Sequence, residues 1–254
     1  MQDFKYFKKI ISKNILFMMI LVLLLVGVSE RIVNLMVAND SYVLDRNKSI
    51  FRILREPENS VDIIVLGDSL GMTSISPMAW WGDYGMTGYV CGQTGQRMQE
   101  AFHMLQAAYE TQSPKLVILE TNMVFRCKNL SSEVKDCLGE IGYRYIPIFQ
   151  GHDIWKSILS EKQYPAENYK GFAFRCETVP YEQGEYMQKN DQKEEISKIV
   201  SFYLEKIRKL CEKNGTKLLL VSTPSPINCN YARHNSIEAY AREKGLDFLD
   251  LNLK

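Results

Sequence analysis

The stretch that decides the fold is Val61–Leu70, which reads Val-Asp-Ile-Ile-Val-Leu-Gly-Asp-Ser-Leu. Its apolar, β-branched run stops abruptly at Gly67-Asp68-Ser69, a pattern typical of a buried strand that enters a tight turn. Open α/β folds build their sites at the carboxyl ends of such strands. Gly67 allows a sharp turn, and Gly71-Met72-Thr73-Ser74 is predicted to open a helix whose N-terminal dipole would favour a developing anion. The pattern therefore places Ser69 where an acyl-transfer nucleophile would lie, and a strand-ending turn without chemistry is the alternative.

Four further apolar segments repeat the character of this first strand, and helical periodicity separates them. The segments Gln96–Thr111, Lys193–Asn214 and Asn235–Lys244 are predicted helices. Strands with continuous apolar residues that alternate with helices indicate a parallel sheet covered on both faces. We therefore predict an α/β fold, a three-layer α/β/α sandwich around a five-stranded parallel sheet. The predicted strands are Val61–Leu66, Gly88–Cys91, Lys115–Glu120, Lys217–Ser222 and Asp247–Leu251.

The N-terminal region differs from the rest of the chain. Lysines precede Ile15–Ser29, an uncharged run rich in Leu, Val, Ile and Met, and apolar character continues more weakly through Ile32–Ala38. The uncharged run is short for a span of ~20 residues, but Ile10–Val28 approaches that length if Lys13 extends its amine to the interface. Lysines before the run and few basic residues after it predict that the N-terminus stays inside and the body is translocated. Residues 1–38 are thus predicted to be a cytoplasmic tail and transmembrane anchor, with a cleaved signal peptide as the alternative.

Composition limits the class of protein and its partners. The chain has 254 residues, of which 46% are hydrophobic, enough to bury one sizeable core. A net charge of +1, with no long basic stretch beyond the N-terminus, argues against nucleic acid as a partner. We predict a stalk over 39–60, one domain over 61–254, and an irregular insertion over about 125–190 within it. The six cysteines show no Cys-x-x-Cys spacing of the kind that binds zinc, so no metal is predicted. No organic cofactor is predicted either. Cys127 and Cys137 either form a disulfide or remain free thiols.

Polar groups end three predicted strands at one edge of the sheet: Ser69, Asn122 and the loop 223–234. The turn Gly92-Gln93-Thr94-Gly95 follows the second strand between them. A serine, a glycine N–H and an asparagine amide that converge there would supply a nucleophile and an oxyanion hole. Acyl transfer needs this arrangement because negative charge develops on the carbonyl oxygen as the serine attacks.

These motifs resemble those of the SGNH, or GDSL, hydrolase superfamily. The chain is more closely similar to the membrane-anchored extracytoplasmic members that work beside membrane-bound O-acyltransferases, and the resemblance runs from about Asp62 to Asn252. It implies a sheet of the SGNH or flavodoxin-like type. Gly67-Asp68-Ser69-Leu70 matches the first block of the family, which makes Ser69 the implied nucleophile.

Two further blocks of the family have counterparts in this chain. The turn that holds Gly95 resembles the second block, whose glycine N–H joins the oxyanion hole, and Gly92 is the alternative alignment. Glu120-Thr121-Asn122 stands at the place of the third block, usually Gly-x-Asn-Asp, but the glycine is absent and methionine follows the asparagine. The resemblance implies that Asn122 is the side-chain donor to the oxyanion.

The last block of the family, Asp-x-x-His, has no match in this sequence, whose histidines are His103, His152 and His234. We predict that His103 packs on a helix, that His152 is exposed in the insertion, and that His234 fixes its loop or helps to bind a ligand. General-base assistance contributes ~10²–10⁴-fold. We therefore predict that this chain is inactive by itself and is a piece of a longer protein that carries the missing block. The alternative is that the protein is a degenerate relative of the family that binds its ligand without turning it over.

The resemblance implies serine-based acyl transfer, often of acetyl, or ester hydrolysis on a cell-surface polysaccharide at the outer face of the membrane. The expected partners are the membrane, a glycan or acyl ester substrate, and a membrane-bound O-acyltransferase. One alternative is a non-catalytic scaffold or binding subunit of an acyltransferase complex. Another is a soluble esterase released by signal cleavage, which would begin near Glu30.

Overall fold

The computed structural model describes residues 2–39, 41, 43, 48–126, 130–146, 149–150, 154–159, 169–176 and 179–253. The strands are β1 (Ile63–Gly67), β2 (Gly88–Gly92), β3 (Leu116–Glu120), β4 (Lys217–Ser222) and β5 (Asp247–Asp250). The helices are α1 (Gln2–Ala38), α2 (Lys48–Ile53), α3 (Ser69–Ser74), α4 (Pro77–Tyr84), α5 (Met98–Ala108), α6 (Leu130–Tyr145), α7 (Ile154–Leu159), α8 (Lys198–Lys213) and α9 (Tyr231–Lys244). Short 3₁₀ helices follow β3 (Thr121–Phe125) and β5 (Leu251–Leu253).

The strands form one parallel sheet in the order β2-β1-β3-β4-β5. Every residue of β1 and β2 is buried, as expected for strands covered on both faces. Because all the strands run in one direction, their carboxyl ends lie along a single edge of the sheet. The predicted α/β class and the five-stranded parallel sheet are confirmed.

Each face of the sheet carries its own apolar layer. Alternate β1 residues such as Ile64 and Leu66 face helices α2, α5, α8 and α9 in the larger core. The other alternation, which includes Val65, packs against α3 and α4 through Met72 and Trp80. The three-layer arrangement follows from this two-sided burial.

The helix boundaries differ from the predicted ones where side chains cap the backbone. Helix α3 begins at Ser69 because the carboxylate of Asp68 accepts a hydrogen bond from the backbone N–H of Leu70 at 2.9 Å. Helix α8 begins only after Ser197, which caps it, and α9 begins four residues earlier than predicted, after the Asn230 cap. Capping depends on local geometry that periodicity does not reveal.

The predicted irregular insertion contains a regular element. Helix α6 has 16 residues, and its apolar side chains recur at helical spacing among many charges. Arg97, at the start of α5, forms an ion pair with Asp136 of α6. This interaction between two helices, 39 residues apart in sequence, is not visible in the local composition.

Within the described residues, one helical segment is long and apolar enough to cross a membrane, Ser12–Ala38. Its 27 residues would extend about 40 Å at 1.5 Å per residue, more than the ~30 Å of a bilayer core. The same length and composition also fit a signal sequence. Helix α1 continues without a break past Ser29, as the apolar pattern predicts.

Helix α2 lies inside the predicted stalk 39–60 and packs on the domain. Ile53 belongs to the main core, and Phe51 packs with Met36 of α1. The domain boundaries themselves stay predictions.

A turn from the insertion covers the free edge of β2. The N–H of Val90 donates to the carbonyl of Lys170 at 2.8 Å, and Gly171 follows with φ +81°. The amine of Lys170 also bonds the carboxylate of Glu56 at 2.7 Å. An exposed strand edge is thereby paired and protected.

Candidate functional site

Ser69 lies at the first position of α3, directly after β1, and is half-buried. Gly67 and Gly71 allow this tight transition, since a side chain on Gly67 would lie 2.8 Å from the Cα of Gly71. The backbone carbonyl of Ser69 accepts a hydrogen bond from Thr73 at 2.8 Å. Among the residues that the structure describes, the Ser69 hydroxyl itself makes no hydrogen bond, so it is free to meet a substrate.

The carboxylate of Asp68, the residue before this serine, accepts hydrogen bonds from several neighbouring groups. Asp68 is fully buried, and one of its oxygens accepts hydrogen bonds from the side-chain amide of Asn122 and from the guanidinium of Arg126, both at 2.7 Å. A buried carboxylate needs such partners, because an unpaired buried charge is strongly destabilising. The structure thus joins Ser69 and Asn122, two of the predicted site residues, through Asp68.

The sequence reasoning did not identify Arg126. It follows the 3₁₀ helix that carries Asn122, and its side chain is 41% exposed. Arg126 lies four residues after Asn122. This spacing did not indicate that the two side chains meet at Asp68, because the 3₁₀ helix Thr121–Phe125 was not predicted. Its guanidinium adds a positive charge beside Asp68, the residue before Ser69.

Glu120 lies below Asn122 as a fully buried carboxyl group. One of its oxygens accepts from the backbone N–H of Asn122 at 3.1 Å, and the other accepts from the hydroxyl of Thr223 at 3.3 Å. Burial, together with the negative charge of Asp68, raises the pKa of Glu120 to about 8. This carboxyl holds the backbone of Asn122 in place.

The two glycines that the sequence left as alternatives have different environments. Gly92 is the last residue of β2 and pairs with Gly67, and a side chain there would lie 2.7 Å from the carbonyl oxygen of Gly67. Gly95 lies in the turn beyond β2 with φ +71°, and the nearest atom to an added Cβ is a guanidinium nitrogen of Arg126 at 4.0 Å. Gly92 is therefore required for packing, whereas Gly95 lies beside Arg126 at the mouth of the site.

A second polar cluster lies at the ends of β4 and β5. Nδ1 of His234 is 2.7 Å from a carboxylate oxygen of Asp250, and the side chains are 12% and 5% exposed. The other oxygen of Asp250 accepts from the backbone and side-chain N–H groups of Asn252 at 2.9 and 2.8 Å. The structure places His234 in the first turn of α9, not in the loop 223–234 where the sequence predicted it, and the contact ties this turn to the end of β5.

His234 and Asn122 line the same small cavity. The space that the centre of a water molecule can occupy there is about 10 Å³, room for about one water. In the sheet order β5 lies three strands from β1, about 14 Å at ~4.8 Å per strand. The His234–Asp250 pair is thus placed near Asn122, on the side of β3 away from Ser69.

His103 is 4% exposed and packs between Phe102 and Tyr203, as predicted. His152 and Cys127 lie outside the described residues, so the exposure of the one and the pairing of the other stay predictions.

No family model matches this chain, and no curated protein matches its sequence. A candidate acylhydrolase from Bacteroides fragilis is 13% identical, with a TM-score of 0.39 and coverage of 82% of this chain and 76% of that one. A GDSL-like lipase from Bacteroides thetaiotaomicron is 12% identical, with a TM-score of 0.33 and coverage of 74% of this chain and 67% of that one. At these values neither similarity identifies the chemistry, which depends on the residues at the sheet edge.

Proposed function

We propose that this protein is a membrane-anchored serine enzyme of acyl transfer or ester hydrolysis, with Ser69 as the nucleophile. The observation that carries the proposal is the Ser69–Asp68–Asn122 arrangement, in which the buried carboxylate of Asp68, the residue before Ser69, holds the side-chain amide of Asn122 at 2.7 Å. Among the described residues the Ser69 hydroxyl has no hydrogen-bond partner, and such a serine, linked to an oriented donor through Asp68, suits nucleophilic attack better than a purely structural turn.

In the proposed reaction, the Ser69 oxygen forms a bond to the carbonyl carbon of an acyl ester. The alcohol of that ester leaves with the proton that the serine gives up. A glycan hydroxyl or a water then attacks the acyl-enzyme, forms the new bond to the acyl carbon and releases the Ser69 hydroxyl. Each step passes through an oxyanion on the former carbonyl.

The oxyanion donors in this proposal are the Gly95 N–H and the Asn122 amide. An asparagine amide has two N–H bonds, and Asn122 uses one of them on Asp68 at 2.7 Å. Among the described residues the other N–H bonds no acceptor, and we assign it to the oxyanion. Because the Glu120 carboxyl also holds the backbone of Asn122, the donor is fixed before substrate binds, as electrostatic stabilisation requires.

The finer parts of the proposal come from the family resemblance and the composition of α1. We propose that α1 anchors the protein with the domain outside, that the acceptor or donor is a cell-surface polysaccharide ester, and that a membrane-bound O-acyltransferase is the partner. An enzyme tethered at the membrane meets such substrates at raised effective concentration.

The test is covalent labelling of the full chain with a fluorophosphonate, followed by mass spectrometry of the adduct. We expect a slow adduct on Ser69 that Ser69→Ala abolishes, because the sequence has no match to the Asp-x-x-His block and the reaction therefore lacks the ~10²–10⁴-fold assistance of a general base. Ser74→Ala is the matched control, because Ser74 ends the same helix, is exposed, and lies outside the proposed machinery. A folded chain with no adduct on Ser69 would instead favour the non-catalytic scaffold or binding subunit.

A further inference from the structure

The folded domain packs on the last turns of α1. Ser29 and Met36, two helical turns apart on one face, are each only 3% exposed. Met36 forms an apolar cluster with Val43 and Phe51. Glu30 and Arg31 are the charged residues that end the uncharged run of α1. Met36 lies five residues after Arg31, which is about 8 Å further along the helix axis. This base of the domain is therefore close to the level at which α1 would leave the hydrocarbon.

Helix α2 connects this contact to the carboxyl edge of the sheet. Its Ser49 hydroxyl donates a buried hydrogen bond to the carbonyl of Gly92 at 2.7 Å. Gly92 is the last residue of β2 and pairs with Gly67, two positions before Ser69. The end of α1 thus meets the domain near the sheet edge that carries Ser69.

The same edge has exposed apolar side chains around it. Phe174, Ile227 and Leu253 are 73%, 82% and 47% exposed. The residue before Phe174 is bonded to the backbone of α3, and the residue before Leu253 donates to the carbonyl of Thr223 just beyond β4. These three residues, here called the apolar rim, therefore surround the carboxyl ends of the strands.

The opposite edge of the sheet has charged groups at three of its strands. Lys115, Lys217 and Asp247 lie at the amino ends of β3, β4 and β5, and all three are exposed, whereas the exposed Tyr84 and Met86 precede the amino end of β2. At β3, β4 and β5 the two edges therefore differ in the free energy of contact with a bilayer. Apolar side chains gain by leaving water, whereas charged groups lose hydration.

We propose that the apolar rim rests on the surface of the membrane that α1 crosses, so that Ser69 opens toward acyl donors that reside in that membrane. The proposal rests on the anchoring role of α1 in the proposed function and goes beyond it by assigning which edge of the sheet faces the bilayer. Both the docking of α1 and the apolar rim point to the same edge.

Fluorescence quenching on the full chain in phosphatidylcholine nanodiscs tests the orientation. A genetically encoded fluorescent amino acid replaces Ile227 in one variant and Lys217 in a matched control. Both positions are exposed, and they lie at opposite ends of β4, whose six residues rise about 17 Å. With nitroxide on the lipid head groups, we expect several-fold stronger quenching at 227 than at 217.

A third probe at Leu21, in the middle of the apolar run of α1, reports whether the helix is inserted. Bromine on the lipid acyl chains should quench this probe. Quenching at 21, with equal or weaker quenching at 227 than at 217, would overturn the orientation and leave the anchor intact. No quenching at 21 would instead overturn the anchor, and the orientation with it.

Discussion

The side-chain amide of Asn122 donates to the carboxylate of Asp68 across 2.7 Å, although the two residues are 54 positions apart in sequence. This bond joins the turn after β1 to the 3₁₀ helix after β3. Asp68 also caps α3 through the Leu70 N–H, so one buried carboxylate fixes both the serine-bearing helix and the candidate oxyanion donor. The Asp68–Asn122 hydrogen bond therefore both stabilises the fold and positions the groups of the proposed reaction.

Replacement of Asn122 by alanine removes a charge-assisted hydrogen bond and the proposed oxyanion donor together. We expect the free energy of unfolding to fall by about 2 kcal/mol and the rate of fluorophosphonate labelling to fall by ~10²-fold or more. Asn228→Ala is the matched control, because Asn228 lines the same cavity but bonds only Ser225 among the contacts seen for its side chain in the described residues. Labelling that is lost equally in both variants would show that Asn122 has no special role.

Substitution Glu120→Gln should change the pH dependence of stability. The folded pKa of Glu120 is raised from 4.5 to about 8, so the folded state holds a proton that the unfolded state loses above about pH 4.5. The stability from this group is thus fully present below that pH and is lost as the pH rises to about 8, with a slope that approaches 1.4 kcal/mol per unit.

Chemical unfolding of the full chain in detergent at a series of pH values measures this effect. We expect Glu120→Gln to gain stability relative to the wild type between pH 5 and pH 8. The control is Glu58→Gln, which removes an exposed carboxylate and should leave the slope unchanged. A wild-type slope of zero across this range would contradict the raised pKa.

The two glycines after β1 and β2 should respond differently to alanine. At Gly92 the new methyl group meets the carbonyl of Gly67 at 2.7 Å, which we expect to cost about 2–3 kcal/mol in unfolding free energy. At Gly95 there is room, and only the left-handed backbone at φ +71° is strained, by about 1 kcal/mol. Alanine keeps the backbone N–H, so if Gly95 is the oxyanion donor, Gly95→Ala should slow Ser69 labelling only modestly, by straining the left-handed turn that aims this N–H, while the chain stays folded.

The turn that covers β2 should be sensitive at Gly171. A methyl group there would overlap the carbonyl oxygen of Val90, so the turn would have to leave the edge of β2 and lose its bond from the Val90 N–H. We expect Gly171→Ala to cost about 3 kcal/mol. Gly184→Ala, at a similar φ of +80° but in open space, should cost only about 1 kcal/mol. Equal losses in thermal or chemical unfolding would mean that the turn does not pack on β2.

The strands were the most predictable part of the fold. β1, β3 and β4 are short runs of consecutive apolar residues bounded by polar ones, and the two-sided burial of a parallel sheet produces that pattern directly. Helix α6 was missed because its apolar residues are interspersed with charges whose partners lie on α5. Its stability depends on contacts between distant segments.

Ser69 could be found from sequence because it follows a recognisable strand, whereas Arg126 and the His234–Asp250 pair could not. Arg126 matters only because the fold brings it to Asp68, 58 residues away, and His234 meets Asp250 only because α9 packs on β5. Neither periodicity nor a local motif predicts such contacts between residues that are far apart in sequence.

The amino-acid sequence by itself determined the parallel α/β sheet, the long apolar N-terminal helix and the strand end that holds Ser69, because burial and periodicity act on neighbouring residues. Only the tertiary structure decided which polar groups share the buried carboxylate of Asp68, and it alone separated the packing glycine from the one at the mouth of the site. It also decided which sheet edge lies beside α1. These properties depend on the distances between segments far apart in the chain, and those distances are set when the whole core packs.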